Sequence, residues 1–101
     1  MGQNRRTQTR HEVSIPSTLT IENAGQQCTM VNLSLGGAFV VHHKVAMGVM
    51  CKISFTVPTQ VEPIEVDAIV RWCTELGVGV QFEGLRAKEV YALGKYFEQL
   101  V

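Results

Sequence analysis

The stretch Val49-Met50-Cys51-Lys52-Ile53-Ser54-Phe55-Thr56-Val57 sets Val49, Cys51, Ile53, Phe55 and Val57 against Met50, Lys52, Ser54 and Thr56. A period of 2 puts successive side chains on opposite faces of an extended chain, so these residues predict a strand with one buried face. The same period recurs on both sides of it. Val13, Ile15, Leu19 and Ile21 predict a first strand in which Pro16 marks an edge or a bulge, and Glu22-Asn23-Ala24-Gly25 reads as a turn. Cys28 to Leu35 reads as a second strand, with Val31, Leu33 and Leu35 on its apolar face and Asn32 and Ser34 on the other. Gly36-Gly37 interrupts it, and Ala38 to Val41 resumes. Beyond the connection Pro58 to Pro63, the set Ile64, Val66, Ala68, Val70 and Trp72 forms one face of a further strand, which makes Trp72 a core residue. Val78, Val80 and Phe82 do the same in the last strand, Gly77 to Phe82.

Only the C-terminal segment changes period. Val90, Leu93, Gly94, Phe97, Leu100 and Val101 recur at helical spacing, with Lys88, Glu89, Lys95 and Glu98 on the other side, so a helix is expected over about 85–100. Short antiparallel strands with one apolar face each, plus one helix, give an all-β dominated fold. The expected architecture is a small six-stranded antiparallel β-barrel that a single C-terminal α-helix plugs or flanks. Residues 12–101 would form it, and residues 1–11 would be a flexible basic arm, since only Met1 is apolar there.

The chain has 101 residues, 46% hydrophobic and 18% charged, which fits one ordinary globular domain with a modest core. Its formal net charge is zero but unevenly spread: residues 1–11 hold three Arg and no acid, leaving six Lys/Arg against nine Asp/Glu in the rest. A binder of nucleic-acid backbones is expected to spread basic side chains over a face. Charge gathered in one short arm suits a small, compact anion instead. Cys28, Cys51 and Cys73 lie in apolar runs and form no CxxC pair, so they read as buried hydrophobes. With His11, His42 and His43 they make no spaced ligand set, and neither a metal site nor a cofactor is expected. A polar N-terminus, free thiols and the lack of a long apolar run point to a cytoplasmic protein that does not insert in membranes.

Two segments carry chemistry. Arg5-Arg6-Thr7-Gln8-Thr9-Arg10 places three guanidinium groups in six residues. Arginine forks match phosphate oxygens and the O6/N7 edge of guanine. Asn32-Leu33-Ser34-Leu35-Gly36-Gly37 offers an amide and a hydroxyl two residues apart, followed by glycines that let a ligand approach the backbone. An anion that also carries hydrogen-bonding rings fits both, and a guanine nucleotide is such a molecule. Taken singly, each segment has a plainer reading, a solvated tail for the first and a turn signal for the second.

These residues resemble the PilZ domain, a bacterial receptor module for the second messenger cyclic di-GMP. Arg6 and Arg10 match its RxxxR, and Asn32, Ser34 and Gly37 match its [DN]xSxxG. Arg71-Trp72 and Gly77-Val78-Gly79-Val80-Gln81-Phe82 are similar to its last strands. The resemblance implies that Arg6 and Arg10 take phosphates and guanine edges, and that Asn32 and Ser34, outside the barrel, hydrogen-bond the ligand. Gly36 and Gly37 would form the low surface against which a guanine sits. Arg5, just before the motif, implies two ligand molecules per protomer. Asn32 stands where Asp is commoner, which removes a charged acceptor for the guanine N1–H and N2–H₂ groups.

The function expected is therefore a sensor and adaptor whose ligand-ordered arm alters a surface for a separate protein partner or a homodimer. Two other classes compete. One is a degenerate domain of the same family that binds only protein, which would ordinarily lack these arginines. The other is a small-barrel nucleic-acid binder, disfavoured because Phe55, Trp72 and Phe82 fall on inward sets rather than outside, where bases stack. No catalytic constellation can be assembled from the sequence, so an enzyme is not expected.

Overall fold

The computed structural model describes residues 9–100. Six strands, β1 (His11–Ile21), β2 (Ala24–Leu33), β3 (Gly37–Val41), β4 (Met50–Phe55), β5 (Ile64–Cys73) and β6 (Gly77–Glu83), precede one helix, α1 (Ala87–Gln99). The strands close on themselves in the order β1-β2-β3-β6-β5-β4, every pair antiparallel. The expected barrel with one terminal helix is thus the observed fold. Closure gives every strand two neighbours, and the core lies inside the barrel.

The sequence-derived faces hold along β4 and β6: Cys51, Ile53, Phe55, Val78, Val80 and Phe82 are all buried. They fail in β2 and β5, where a β-bulge adds one residue and exchanges inside for outside. In β2 the register with β3 slips between Met30 and Asn32. Met30, assigned by period to the outer face, is fully buried opposite Val40, and Val31 is only half-buried. The strand also begins earlier than expected and ends at Leu33, so Ser34 belongs to the connection rather than to the strand. In β5 the slip lies between Val70 and Trp72, and Arg71 is the extra residue. Trp72 is consequently not a core residue. It lies on the outside of the barrel, half-buried against Phe39.

One smaller expectation is also corrected. Glu22 and Asn23 alone make the β1–β2 turn, both at positive φ (52° and 68°), while Ala24 and Gly25 already pair with β1. That backbone is the two-residue turn whose twist suits a hairpin, and Asn tolerates it better than Glu. Pro16 sits between a bulge at Glu12–Ile15 and Ser17, where pairing with β4 starts.

The helix α1 covers the barrel mouth at which β1 begins. Leu93 joins the barrel core, Phe97 stacks on His11 at 4.2 Å, and Thr59 Oγ1 donates to the Ala92 carbonyl at 2.7 Å. Its buried face is rotated from the expected one. Glu89 is buried and Val90 is 40% exposed. The reason is capping: Arg86 occupies the N-cap position but its guanidinium cannot accept a hydrogen bond. Glu89 does so instead, taking the Arg86 N–H on Oε1 and the Arg86 Nη2 on Oε2, both at 3.0 Å. The Arg86 hydrogen bond holds the Glu89 carboxyl below the usual carboxylate range.

Cys51 is buried, while Cys28 and Cys73 are half-buried against the core, and all three are free. Burial, helped by Asp67, pushes the Cys51 thiol up to about 11, so it packs as a small hydrophobe. Among the described residues no helix is long and apolar enough to cross a membrane.

Candidate functional site

A cleft of about 430 Å³ lies on the outer surface where β2, β3, β6 and β5 run side by side. That size falls in the range usual for small-molecule sites. One wall is the β2–β3 hairpin with Asn32, Ser34, Gly36 and Gly37, and β5 adds Arg71 and Trp72. Arg10 leans in from the residue before β1, its guanidinium carbon 5.1 Å from the Trp72 ring centroid. A cation over an indole face is attracted by the ring quadrupole.

Each of these residues is positioned for a local reason. Asn32 directly opposes Phe39 across the β2–β3 ladder, just past the bulge, and shares its outward face. Ser34 is almost fully buried, at 6% exposure, and its hydroxyl accepts the N–H groups of Gly36 (3.1 Å) and Gly37 (3.2 Å). The Ser34 N–H in turn donates to the Gly37 carbonyl at 2.8 Å. Ser34 therefore builds the wall. Gly37 is required by the barrel as well: a Cβ there would stand 2.2 Å from the Val80 carbonyl oxygen. Its φ is not positive, so the close approach of β6, and not backbone freedom, selects glycine. The carbonyl of Gly36 accepts the Phe82 N–H at 2.9 Å, tying the same turn to β6.

The cleft floor is aromatic and rests on glycine. A Cβ on Gly79 would lie within 2.1–2.4 Å of three Trp72 ring atoms, so the indole lies flat across β6 at that point. Phe39, beside the cleft and not in its lining, lies over Gly77 in the same manner, and the two rings are 6.3 Å apart and 21° from parallel. Beside them Arg71 Nε donates to Gln81 Oε1 at 2.9 Å.

Of the residues expected to form a site, Arg10, Asn32, Ser34, Gly36 and Gly37 are brought together in this one cleft. Arg5 and Arg6 lie outside the described residues. Arg71, Trp72 and Gln81 were not expected there. A glycine inside a strand often marks a bulge or a close backbone approach, so Gly79 was the available signal for Trp72. With Trp72 outside, one argument against nucleic-acid binding, that the aromatics face inward, no longer applies to it.

The PilZ domain model matches residues 4–99. The chain belongs to the PilZ domain family. No curated protein matches it in sequence. Among solved structures it is similar to the Bacillus subtilis inhibitor of motility MotI/DgrA, with a TM-score of 0.82 at 20% identity over 94% of this chain and 50% of that one. The PilZ domain of CeSA from a cellulose-synthesizing bacterium gives 0.71 at 14% identity, over 90% and 97% of the two chains. The Borreliella burgdorferi PlzA protein, solved in complex with c-di-GMP, gives 0.75 at 19% identity, over 95% and 42%. This PilZ chain thus spans about half the length of MotI/DgrA and less of PlzA. At these identities the likeness is one of fold.

Proposed function

We propose that this PilZ domain binds cyclic di-GMP in the cleft beside Trp72 and acts as a sensor and adaptor rather than as an enzyme. The observation that carries the proposal is the convergence of Arg10, from one motif, with Asn32 and the Ser34–Gly37 turn, from the other, around a single aromatic floor. Family membership and the PlzA complex with c-di-GMP support the choice of ligand. A guanine enters between the Trp72 ring and the Arg10 guanidinium that covers it in the free chain, and Arg10 moves outward to close over the second face of the base. Asn32 hydrogen-bonds the base, and Arg6 neutralises phosphate. Arg5 adds a second ligand molecule. The arm stops at Arg10 and not at the expected residue 11, because His11 already belongs to β1. It orders as its guanidinium groups gather around the anion, and the surface so created docks a separate protein in the cytoplasm.

A single-stranded nucleic acid is the second reading, favoured by the outward pair Phe39 and Trp72. Isothermal titration with cyclic di-GMP, GTP and a short oligonucleotide separates the two. Saturable binding of cyclic di-GMP alone, with two ligands per protomer, is the expected result. Preference for the oligonucleotide overturns the proposal.

A further inference from the structure

In an unbroken strand Arg71 and Trp72 would point to opposite faces of the barrel. The bulge in β5 removes that alternation, and both side chains line the same outer cleft. The Arg71 guanidinium is anchored on one side only, through Nε to the neutral Gln81 Oε1 at 2.9 Å. No ion pair with a carboxylate engages it among the described residues. Its two Nη groups have no hydrogen-bond or ion-pair partner among the described residues, and Arg71 lines the same cleft as Trp72. A fork of parallel donors beside a flat aromatic floor is complementary to one kind of molecular edge. That edge is a pair of adjacent acceptors in the plane of a stacked ring, such as O6 and N7 of guanine.

We infer that Arg71 is a specificity-determining residue that reads the O6/N7 edge of the base stacked on Trp72. The inference rests on the cyclic di-GMP reading of the cleft and adds to it a contact outside both sequence motifs. Arg10 approaches the ring from above, whereas Arg71 is joined to Trp72 through the chain and meets a stacked base at its rim. The division of labour follows: Arg10 supplies affinity for any stacked base, and Arg71 distinguishes guanine from adenine, whose exocyclic amino group presents a donor where guanine has O6.

The test compares cyclic di-GMP with its analogue in which N7 of both guanines is replaced by CH. Both are titrated against the wild-type chain, Arg71→Met and Arg71→Lys, and thermal melts establish that each variant is folded. Arg71→Met is expected to weaken cyclic di-GMP binding about tenfold or more. The wild type should lose affinity for the N7-less analogue, and Arg71→Met should lose markedly less. Arg71→Lys keeps the charge without the parallel donors and should resemble the Met variant. Wild-type affinity in Arg71→Met, full rescue by lysine, or an equal loss for the analogue in wild type and variant each overturns the inference alone. Absence of any binding by the wild type overturns the ligand reading beneath it as well.

Discussion

The hairpin joining β2 to β3 and the hairpin joining β5 to β6 sit at opposite ends of the barrel and are built alike. In the first, Ser34 Oγ accepts the N–H groups of Gly36 and Gly37, and the Ser34 N–H donates to the Gly37 carbonyl at 2.8 Å. In the second, Thr74 Oγ1 accepts the N–H groups of Leu76 and Gly77 at 3.0 and 3.3 Å, and the Thr74 N–H donates to the Gly77 carbonyl at 2.9 Å. Each turn ends on a glycine pressed against the facing strand. A Cβ on Gly37 would lie 2.2 Å from the Val80 oxygen, and one on Gly77 would lie 2.1 Å from the Val40 oxygen. Hydroxyl-x-x-glycine is therefore a construction element of this barrel, used at both ends. What the first hairpin has and the second lacks is its place in the cleft, with Asn32 two residues upstream and Ser34, Gly36 and Gly37 in the lining beside Arg10, whereas the second hairpin contributes Trp72 from its strand but nothing from its turn. The hydroxyl and the glycine shape the wall of the cleft, and the proposed ligand chemistry rests on the neighbours.

If that equivalence holds, the largest effect should be the same at both ends. Gly37→Ala and Gly77→Ala each drive a methyl group into a backbone carbonyl that cannot rotate away, at a cost of about 3 kcal/mol. Denaturant melts of the two variants should therefore shift together. A bulky Gly37→Leu change would abolish binding because it disrupts β3–β6 pairing, and not merely because it crowds a ligand. A Gly37 variant as stable as wild type beside a crippled Gly77 variant would break the comparison.

The next effect should appear at one end only. Arg10 is exposed and lies outside every strand, so Arg10→Ala should leave the melt unchanged. Loss of its charge-assisted contacts should weaken cyclic di-GMP binding roughly tenfold to a hundredfold, about 1.5–3 kcal/mol. Arg6→Ala is expected to behave in the same way. Affinity unchanged in both variants, measured by titration, would separate the cleft from the ligand and leave the first hairpin as ordinary as the second.

The contrast between the hairpins also explains how much the sequence disclosed. Strand alternation gave the barrel, because Cys51, Ile53 and Phe55, or Val78, Val80 and Phe82, keep one face throughout. The motif residues Arg10, Asn32, Ser34 and Gly37 announced the cleft through the order and spacing of residue types. The floor stayed hidden, since nothing in Ile64 to Trp72 distinguishes a regular strand from one with an extra residue at Arg71. A bulge is decided by how a strand registers against its partner, here β6 across the β5–β6 hairpin, and the period of one strand does not show that register. Glu89 was misplaced for a related reason. Helical period counts a glutamate as solvent-facing, yet its hydrogen bonds to Arg86 let it be buried at 1% exposure. Ser34 was legible as a turn residue and as a ligand contact, and local sequence alone favours neither.

The smallest effect bears most directly on that last ambiguity. Ser34→Ala and Thr74→Ala each remove an acceptor from two backbone N–H groups. Ser34 is buried and its turn is part-buried, so the freed N–H groups gain little from water, and the cost should be about 1 kcal/mol or somewhat more. Thr74 is exposed, solvent can replace its oxygen, and the cost there should be about 0.5 kcal/mol. Binding sharpens the comparison further. If Ser34 serves the wall alone, Ser34→Thr, which keeps the hydroxyl that Thr74 uses in the equivalent turn, should retain both stability and cyclic di-GMP affinity. Ser34→Ala should then lose affinity only as far as the turn loosens, which amide exchange at Gly36 and Gly37 would register. A Ser34→Ala chain with unaltered exchange at those amides but sharply weaker binding would instead make the hydroxyl a direct ligand contact, and the likeness of the two hairpins would end at their backbone.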